Sequence, residues 1–315
     1  MELIPSNLKV DFLSKRYFAY ALSLIVIAFS LFEWYSLGEK KFGIDYLGGH
    51  ELVVKIDAES SSGEIRGLME KAKLDAIVQS FESDDQEFSI RISSEKKSGE
   101  VRELVSEALK GLYSNKFEII KADFVGPTIG EELKKNALIA ILVSLVGMLL
   151  YISFRFELAF AVGAVAALFH DVIVTMGIYL ISDMTISVAT LAAALTIVGY
   201  SVNDTIIIFD RVREEILKAR ENTSLEDIIN QSISSTLSRT VITSLLTLFS
   251  ALALLIFGGG AIAELALFLS VGVVTGTYST IFIASPVALA WESFQSRAST
   301  SGKPKKASSK EATAS

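Results

Sequence analysis

The sequence predicts a multi-pass α-helical membrane protein with six transmembrane helices and one small α+β domain outside the membrane. Of its 315 residues, 51% are hydrophobic, which is high for a soluble chain. Several apolar runs reach the roughly 17–25 residues that a helix needs to cross a bilayer. One long polar segment, residues 38–135, separates the first run from the others. These three observations together predict the fold class.

The predicted spans are each long enough to cross the hydrocarbon core. The first, residues 17–37, follows an N-terminal segment, residues 1–16, that we expect in the cytoplasm. It lacks a small-x-small cleavage site, so we expect it to be retained as a helix and not removed as a signal peptide. The other five lie within residues 136–292, at about 136–154, 157–181, 185–209, 240–257 and 262–291.

Basic residues in the short connecting segments predict the orientation of the spans. The segments on the opposite face, residues 182–184 and 258–260, contain no lysine or arginine. Because basic loops remain in the cytoplasm, we expect a protein of the cytoplasmic membrane with both termini on the cytoplasmic side. The basic residues behind this prediction are Lys9, Lys15, Arg16, Arg155, Arg211, Arg213, Lys218, Arg220 and Arg239.

The polar segment 38–135 has the pattern of a small α+β domain, and the orientation places it outside the cytoplasm. Strand patterns alternate with two amphipathic helical patterns in the order β-α-β-β-α-β, which predicts a ferredoxin-like domain with both helices on one face of an antiparallel sheet. The predicted strands are 50–56, 77–81, 87–92 and 117–125, and the predicted helices are 63–76 and 99–113.

Two cytoplasmic segments have patterns of their own. Thr223 and Glu226 have the spacing of a capping box, and an amphipathic pattern follows at about residues 224–237, so we expect a helix on the membrane surface before span 5. The C-terminal residues 293–315 are rich in Ser, Lys and Ala, and we expect them to form a disordered cytoplasmic tail.

Composition also excludes several classes of function. The chain has no cysteine and only two histidines, which leaves little to bind a metal, and we expect no cofactor. A net charge of −7 argues against a nucleic-acid partner, and no glycine-rich loop ending in Lys-Ser or Lys-Thr is present to bind nucleotide phosphates. We therefore expect no nucleic-acid binding, and we expect any work that the protein does to draw on an energy source other than a bound nucleotide.

Span 4 contains the residue that most needs an explanation. The sequence VGYSVNDTIIIFDRVR, residues 198–213, places Tyr200, Asn203 and Asp204 in an otherwise apolar helix, on one stripe with Thr196. A carboxylate at membrane depth costs several kcal/mol unless it is protonated, paired or hydrated, so Asp204 indicates a functional site with a partner.

Span 5 offers a candidate partner. Arg239 begins a polar stripe with Thr243, Thr247 and Ser250, which are spaced for one helix face and could form a polar path to Asp204. Asp171 and His170 form a second polar pair in the middle of span 3. Other interpretations remain open: Asp204 as a structural hydrogen-bonding group, Arg239 as an interface anchor, Asp171 as either a second relay or a packing site, and His170 as a structural histidine.

Five motifs in this order resemble those of the SecD/SecF family, within the resistance-nodulation-division superfamily. They are FGIDYLGG at 42–49, VGPTIG at 125–130, ALFHD at 167–171, GYSVNDT at 199–205 and STLSRT at 235–240. The resemblance covers all six spans, and only the two ends of the chain lie outside it.

The resemblance implies a function in protein export that is assisted by the proton motive force. It implies that Asp204 binds and releases the proton and that Arg239 takes part in proton transport. It also implies a SecD-like membrane partner related by a pseudo-two-fold axis, the Sec translocation channel, an unfolded polypeptide substrate, protons and the lipid bilayer as partners.

Two other functions can be set against this one. An intramembrane aspartyl protease would use Asp171 and Asp204 as its two acids, but neither has the Gly-x-Gly-Asp context of such proteases. A small-molecule proton antiporter of the same superfamily would need more than one outer segment of this size to build a drug-binding pocket. The sequence therefore favours protein export, for which we expect no enzymatic activity.

Overall fold

The computed structural model describes residues 10–301, except residues 82–85, 95, 115, 183 and 221–222. Six helices in these residues are long and apolar enough to cross a membrane, which confirms the predicted number of spans. Their helical bounds are Arg16–Ser36 for span 1, Pro127–Arg155 for span 2, Leu158–Ile181 for span 3, Val188–Lys218 for span 4 and Leu225–Phe257 for span 5. Span 6 runs through Gly260–Ser279, a π-helical turn at Thr280–Ala284, and Ser285–Ser301.

Several helices extend beyond the apolar runs that predict them. Span 2 begins at Pro127, well before its apolar run, and span 4 continues to Lys218. Hydropathy detects only the part of a helix that suits hydrocarbon, whereas the hydrogen-bonded backbone continues into the polar region. Span 6 likewise continues to Ser301, so the first part of the predicted disordered tail is helical. Residues 1–9 and 302–315 of the two predicted cytoplasmic ends lie outside the described residues.

The predicted surface helix before span 5 is not a separate element. Span 5 begins at Leu225 and continues unbroken to Phe257, because no glycine or proline interrupts the sequence. Ile228, Ile229 and Ile233 are buried in the hydrophobic core of the bundle, so the apolar face of this segment contacts neighbouring helices instead of lipid.

The cap of this helix is also displaced by one residue from the predicted capping box. Ser224, not Thr223, is the N-cap, and its hydroxyl accepts a hydrogen bond of 3.1 Å from the backbone N–H of Asp227. Glu226, the acid of the predicted box, instead forms an ion pair of 2.7 Å with Arg16 of span 1.

The segment between spans 1 and 2 forms an antiparallel four-stranded sheet with two helices. The strand order in the sheet is β2-β3-β1-β4. In chain order the elements are β1 (Gly49–Ile56), α1 (Ser62–Lys71), β2 (Ala76–Phe81), β3 (Glu87–Ile92), α2 (Ser98–Tyr113) and β4 (Phe117–Val125). The core contains alternate residues of the central strands, including Leu52, Val54, Phe88 and Ile90, because side chains of a strand alternate between its two faces.

Close contacts between small residues hold spans 3, 4 and 6 together. A Cβ at Gly272 of span 6 would lie 2.5 Å from the side chain of Ile197 in span 4. A Cβ at Gly276 would lie 3.1 Å from the Cβ of Ser201, and Gly163 of span 3 lies directly against Ala284. The glycines therefore permit the close approach of helices that membrane proteins use in place of hydrophobic association, and they bring Ser201 against span 6.

Candidate functional site

Asp204 lies in the interior of the bundle, where one of its carboxylate oxygens has no partner within the part of the chain that the structure describes. It is 1% exposed, and its Oδ2 has no hydrogen-bond partner among the described residues. A buried carboxylate oxygen without a partner is costly in hydrocarbon, and such groups are expected to have a functional reason. The oxygen is therefore free to bind a proton.

Arg239 of span 5 is the cation that faces Asp204. Its positive charge acts on the Asp204 carboxylate, but no ion pair joins the two side chains. Arg239 is exposed on the outside of the helix bundle, whereas Asp204 is buried. The two charges are thus near enough to interact, but no salt bridge joins them, so the pairing of Asp204 with Arg239 stays a prediction.

The other polar residues predicted around Asp204 do not form one connected path. The hydroxyl of Tyr200 donates to Ser244 of span 5 at 3.3 Å, and Ser244 is hydrogen-bonded to Thr277 of span 6 at 2.7 Å. Thr243 and Thr247 donate to carbonyl oxygens of their own helix at 3.0 Å. Within the described residues, these hydroxyls form no hydrogen-bonded chain to Asp204, so the path through Thr243, Thr247 and Ser250 stays a prediction.

Asp171 is the other buried acid, and both of its oxygens are satisfied. It is 0% exposed. Its Oδ2 accepts hydrogen bonds from Ser201 of span 4 at 2.5 Å and from Ser279 of span 6 at 2.8 Å. Its Oδ1 lies 3.0 Å from Nδ1 of His170. One side chain of span 3 therefore connects spans 4 and 6.

His170 extends this network to span 1. Its Nε2 lies 3.0 Å from the hydroxyl of Ser23, which lies 3.1 Å from the hydroxyl of Tyr278 in span 6. Tyr278 in turn donates to the carbonyl oxygen of Ala19 at 2.9 Å. The Asp171 network, which we define as Ser23, His170, Asp171, Ser201, Tyr278 and Ser279, thus links spans 1, 3, 4 and 6.

Two more hydroxyl pairs flank this network. Thr205 of span 4 lies 3.1 Å from Thr280 of span 6, and Thr175 of span 3 lies 2.9 Å from Thr275. The π-helical turn of span 6 begins at Thr280, and such turns often occur at functional sites. Sequence reasoning missed the roles of Ser23, Ser201, Tyr278 and Ser279. The available signal was the run TGTYST at 275–280, which is rich in hydroxyl groups for a membrane span.

Asp171 and Asp204 do not form an acidic dyad. The partners of Asp171 are His170, Ser201 and Ser279, while Oδ2 of Asp204 has no partner in the described part of the chain. Two acids that activate water in a protease share a proton across a short contact. The arrangement therefore does not support an aspartyl protease.

A polar face on spans 4 and 5 is exposed on the outside of the bundle. Thr196 and Asn203 of span 4 are exposed there, as are Arg239 and Thr243 of span 5. An amide and a guanidinium facing hydrocarbon each cost several kcal/mol, so such groups normally face protein or water. We therefore expect this polar face to contact either water or another protein.

The segment after span 1 is attached to the start of span 4. The backbone N–H of Gly43 donates to the carbonyl oxygen of Ile186 at 2.9 Å, and that of Ile186 donates to Lys41 at 2.8 Å. The carboxylate of Asp45 accepts a hydrogen bond of 2.8 Å from the N–H of Val188, the first residue of span 4. We call this segment, residues 41–46, the linker clamp.

Tyr46 completes the linker clamp. Its hydroxyl donates to the carbonyl oxygen of Ser187 at 3.3 Å, and burial raises the pKa of Tyr46 to about 12. The hydroxyl therefore keeps its proton at any physiological pH, and with it the hydrogen bond to the residue that caps the start of span 4.

The first two of the five sequence motifs meet next to the linker clamp. Gly48 has a φ of +76°, which favours glycine, and a Cβ at Gly130 of span 2 would lie 3.2 Å from the backbone nitrogen of Gly48. Motifs 42–49 and 125–130 therefore pack together at the point where the sheet domain meets the membrane helices.

Comparisons with known proteins agree with this architecture. A family model described as "Protein export membrane protein SecD/SecF, C-terminal" matches residues 104–293. Protein translocase subunit SecF of Thermodesulfovibrio yellowstonii is 40% identical over 291 residues, which are 91% of this chain and 96% of that protein. The chain belongs to the SecD/SecF family. The SecF subunit of Calditerrivibrio nitroreducens is 38% identical over 301 residues, with 94% and 99% of the two chains covered.

Two solved structures of this family share the fold. The crystal structure of SecDF from Thermus thermophilus, a translocon-associated membrane protein, superposes with a TM-score of 0.82 at 33% identity. SecDF in a super-membrane-facing form superposes with a TM-score of 0.68 at 32% identity. The matches cover 93% and 94% of this chain but 40% of each SecDF chain. The chain thus corresponds to less than half the length of those SecDF proteins.

Proposed function

We propose that this chain is a protein translocase subunit of the SecF type. In our proposal it works with a SecD-like partner in the cytoplasmic membrane and uses the proton motive force to assist polypeptide export. The observation that carries the proposal is the similarity to SecF subunits along almost the whole chain, including 96% of the length of one of them. The described residues add a buried carboxylate that can bind a proton.

Asp204 is the proton-binding group in this proposal. Its Oδ2 has no hydrogen-bond partner in the described structure, so protonation breaks no existing hydrogen bond at that oxygen and removes a costly buried charge. When the proton leaves, the negative charge returns and is attracted to Arg239. Each cycle of protonation therefore changes the force between spans 4 and 5.

The membrane potential can supply the energy for such a cycle. Moving one elementary charge across 100 mV releases about 2.3 kcal/mol, so a few protons can drive a conformational change of several kcal/mol. No covalent bond of the polypeptide substrate needs to break. The chemistry of the site is proton binding, and no enzymatic step is part of the proposal.

Movement of span 4 can reach the sheet domain through the linker clamp. Asp45 is hydrogen-bonded to the first residue of span 4, and β1 begins only a few residues later at Gly49. A displacement of span 4 would therefore pull directly on the segment that leads into β1. In our proposal the sheet domain changes position and holds or pulls a polypeptide emerging from the Sec channel.

The SecD-like partner covers the polar face on spans 4 and 5. Arg239 and Asn203 are exposed on this face, and contact with hydrocarbon would be costly for either group. Sites in transporters built from repeats commonly lie at the interface between the two halves. The SecDF chains that this protein resembles are long enough to contain a second half of similar size, because the match covers 40% of their length.

Two finer points of architecture belong to the same proposal. The strand order β2-β3-β1-β4, with two helices between the strands, supports a ferredoxin-like sheet domain. We place this domain on the outer side of the membrane and both termini on the cytoplasmic side, as the distribution of basic residues predicts.

The proposal is tested by export in cells that depend on this chain and its partner. We expect the Asp204→Asn variant to reduce export to the level of cells without the protein, because Asn cannot gain or lose the proton. Asp210→Asn is a matched control on the same helix, since Asp210 is partly exposed and pairs with Arg155 at 2.7 Å. Normal export with Asp204→Asn, or an equal loss with Asp210→Asn, would contradict the assignment.

A further inference from the structure

An apolar groove lies between span 2 and spans 3 and 4. It encloses a cavity of about 560 Å³, within the range of roughly 300–1,000 Å³ that small-molecule sites occupy. It begins near the linker clamp and continues along the three helices to Met148. Side chains that line it include Leu138 and Leu145 of span 2, Leu168 and Val172 of span 3, and Leu195 and Val198 of span 4.

Span 2 makes little contact with the rest of the protein along this groove. Only 6% of its most apolar segment is buried, against 61% for span 3. Between two membrane helices that stand apart, the gap must be filled by hydrocarbon or by another helix. Water is a poor occupant, because an apolar cavity offers it no hydrogen-bond partners and such cavities stay dry.

The end of the groove near the sheet domain has a different chemistry. Trp34, Phe42 and Tyr46 line this end together with Lys134, which is the only charged lining residue in the described part of the chain. The ammonium group of Lys134 is exposed and lies 5.7 Å from the ring centroid of Phe42. Aromatic rings and lysines at a membrane boundary are the groups that contact lipid headgroups.

A neighbouring lysine shows why Lys134 is the available cation. Lys41 is 9% exposed, donates a hydrogen bond of 3.0 Å to the carbonyl oxygen of Trp34 and lies 4.4 Å from the Trp34 ring. It is therefore already used within the protein. Lys134 forms no ion pair with the described residues, so its charge can be matched by an anion from outside.

The groove lies on a different side of span 4 from the polar face assigned to the partner. Leu191, Leu195 and Val198 line the groove, whereas Thr196 and Asn203 belong to the polar face. The two sets are separated by about 120° around a helix of 3.6 residues per turn. A SecD-like half bound at the polar face therefore leaves the groove open to the bilayer.

We propose that this groove binds one phospholipid with an anionic headgroup, taken from the membrane leaflet on the side of the sheet domain. An acyl chain fills the space between spans 2, 3 and 4, and the phosphate group lies at Lys134. Because Tyr46 and Val198 both line the groove, the bound lipid contacts both the linker clamp and span 4.

The test uses fluorescence of Trp34, which lines the groove and is one of only two tryptophans in the chain. Trp291→Phe gives a full-length protein with Trp34 as its single tryptophan. This protein is placed in vesicles of unbrominated phosphatidylcholine. One series of vesicles contains increasing fractions of brominated phosphatidylglycerol, and a second series contains increasing fractions of brominated phosphatidylcholine. We expect brominated phosphatidylglycerol to bind and quench Trp34 about fivefold more strongly than brominated phosphatidylcholine does. One lysine beside an anionic lipid contributes about 1 kcal/mol, which corresponds to this factor.

Three variants in the same background separate the groove from the general membrane surface. Lys134→Gln should abolish the preference, while Lys135→Gln, which changes an exposed neighbour outside the groove lining, should keep it. Ser144→Phe places a ring in the groove from the loosely packed span 2 and should reduce quenching by both lipids. Equal quenching by both lipids in the parent, or equal loss of preference in the two lysine variants, would overturn the proposal.

The same measurement with the SecD-like partner present tests whether a helix of the partner, instead of a lipid, fills the groove. If lipid occupies the groove in the working complex, quenching and its preference for phosphatidylglycerol should persist when the partner is reconstituted with the chain. Loss of quenching on addition of the partner would show that a partner helix fills the groove and would overturn the lipid assignment.

Discussion

Asp171 and Asp204 are both buried carboxylates on neighbouring spans, but their surroundings differ. Asp171 accepts hydrogen bonds from two serines and contacts His170, so both of its oxygens are satisfied. Asp204 has an oxygen without any partner in the described structure and faces a cation that does not pair with it. Sequence position alone does not distinguish these two acids, since each interrupts an apolar span.

The difference separates a group that holds helices together from one that can change its charge. Protonating Asp171 would weaken hydrogen bonds to spans 4 and 6, whereas protonating Asp204 costs no such bond at its free oxygen. Buried polar groups that are fully satisfied specify a unique packing, and a partly satisfied one in a membrane indicates function. We therefore expect Asp171 to act as a positioning residue and Asp204 to be the residue that binds the proton.

The largest effect is expected from removing the cation that faces Asp204. Arg239→Met should abolish proton-driven transport in vesicles that contain the chain and its partner, because the charge of Asp204 no longer has a counterpart on span 5. The folded chain should keep its melting temperature, since Arg239 is exposed. Arg239→Lys keeps the charge and should retain a measurable part of the transport. Transport by Arg239→Met at the rate of the parent would contradict the role that we assign to the charge of Asp204.

Leucine substitutions should have opposite effects on stability at the two acids. Asp171→Leu leaves Ser201, Ser279 and His170 without their shared acceptor, and we expect a loss on the order of 3–5 kcal/mol. Asp204→Leu removes an unsatisfied polar group and should leave the free energy of unfolding unchanged or raise it by about 1–3 kcal/mol. Thermal unfolding in mild detergent measures both. Equal destabilisation by the two substitutions would show that the acids do not differ in this way.

The two serines that donate hydrogen bonds to Asp171 should contribute differently to the stability of the protein. Ser279 also donates to the carbonyl oxygen of Gly276 at 3.1 Å, whereas Asp171 is the acceptor for Ser201 at 2.5 Å. We expect Ser201→Ala to destabilise the protein by about 1–2 kcal/mol and Ser279→Ala by about half of that, as is typical of single hydrogen bonds between membrane helices. Thermal unfolding of the two variants measures both losses. A larger loss for Ser279→Ala than for Ser201→Ala would contradict these hydrogen-bond assignments.

The smallest effect is expected at His170. His170→Gln keeps a hydrogen-bonding group but shortens the connection between Asp171 and Ser23, so we expect a loss of about 1 kcal/mol with little change in transport. A loss of transport in a His170→Gln protein that remains fully folded would assign the histidine to the proton pathway instead of to packing.

Sequence patterns predicted the elements of this fold well where the signal is local. Hydropathy found the six spans, and the period of the apolar residues found β3 at 87–92 and β4 at 117–125 within the bounds that the structure shows. The prediction of a separate surface helix at about residues 224–237 was wrong, because this segment is the first part of span 5. Its apolar face could contact either lipid or protein, and only the position of the neighbouring helices decides between them.

The site was predictable in part for the same reason. An acid in span 4 and an arginine at the start of the apolar part of span 5 are visible in the sequence, and the two charges lie near enough to interact although no ion pair joins them. Their pairing stays a prediction. The partners of Asp171 come from Ser201 and Ser279, at separations of 30 and 108 residues, which no local period encodes. Tyr200 shares a predicted stripe with Asp204 but reaches Ser244, because its long side chain extends to the next helix.

Proton uptake by Asp204→Asn and Asp171→Asn variants tests the central claim most directly. Each variant is reconstituted with the SecD-like partner in vesicles that contain a pH-sensitive dye, and uptake under an imposed proton gradient is normalised to the amount of folded protein. We predict that Asp204→Asn vesicles take up protons no faster than protein-free vesicles and that folded Asp171→Asn still conducts. Uptake that persists in Asp204→Asn, or that is lost in folded Asp171→Asn, would contradict the assignment of the proton to Asp204.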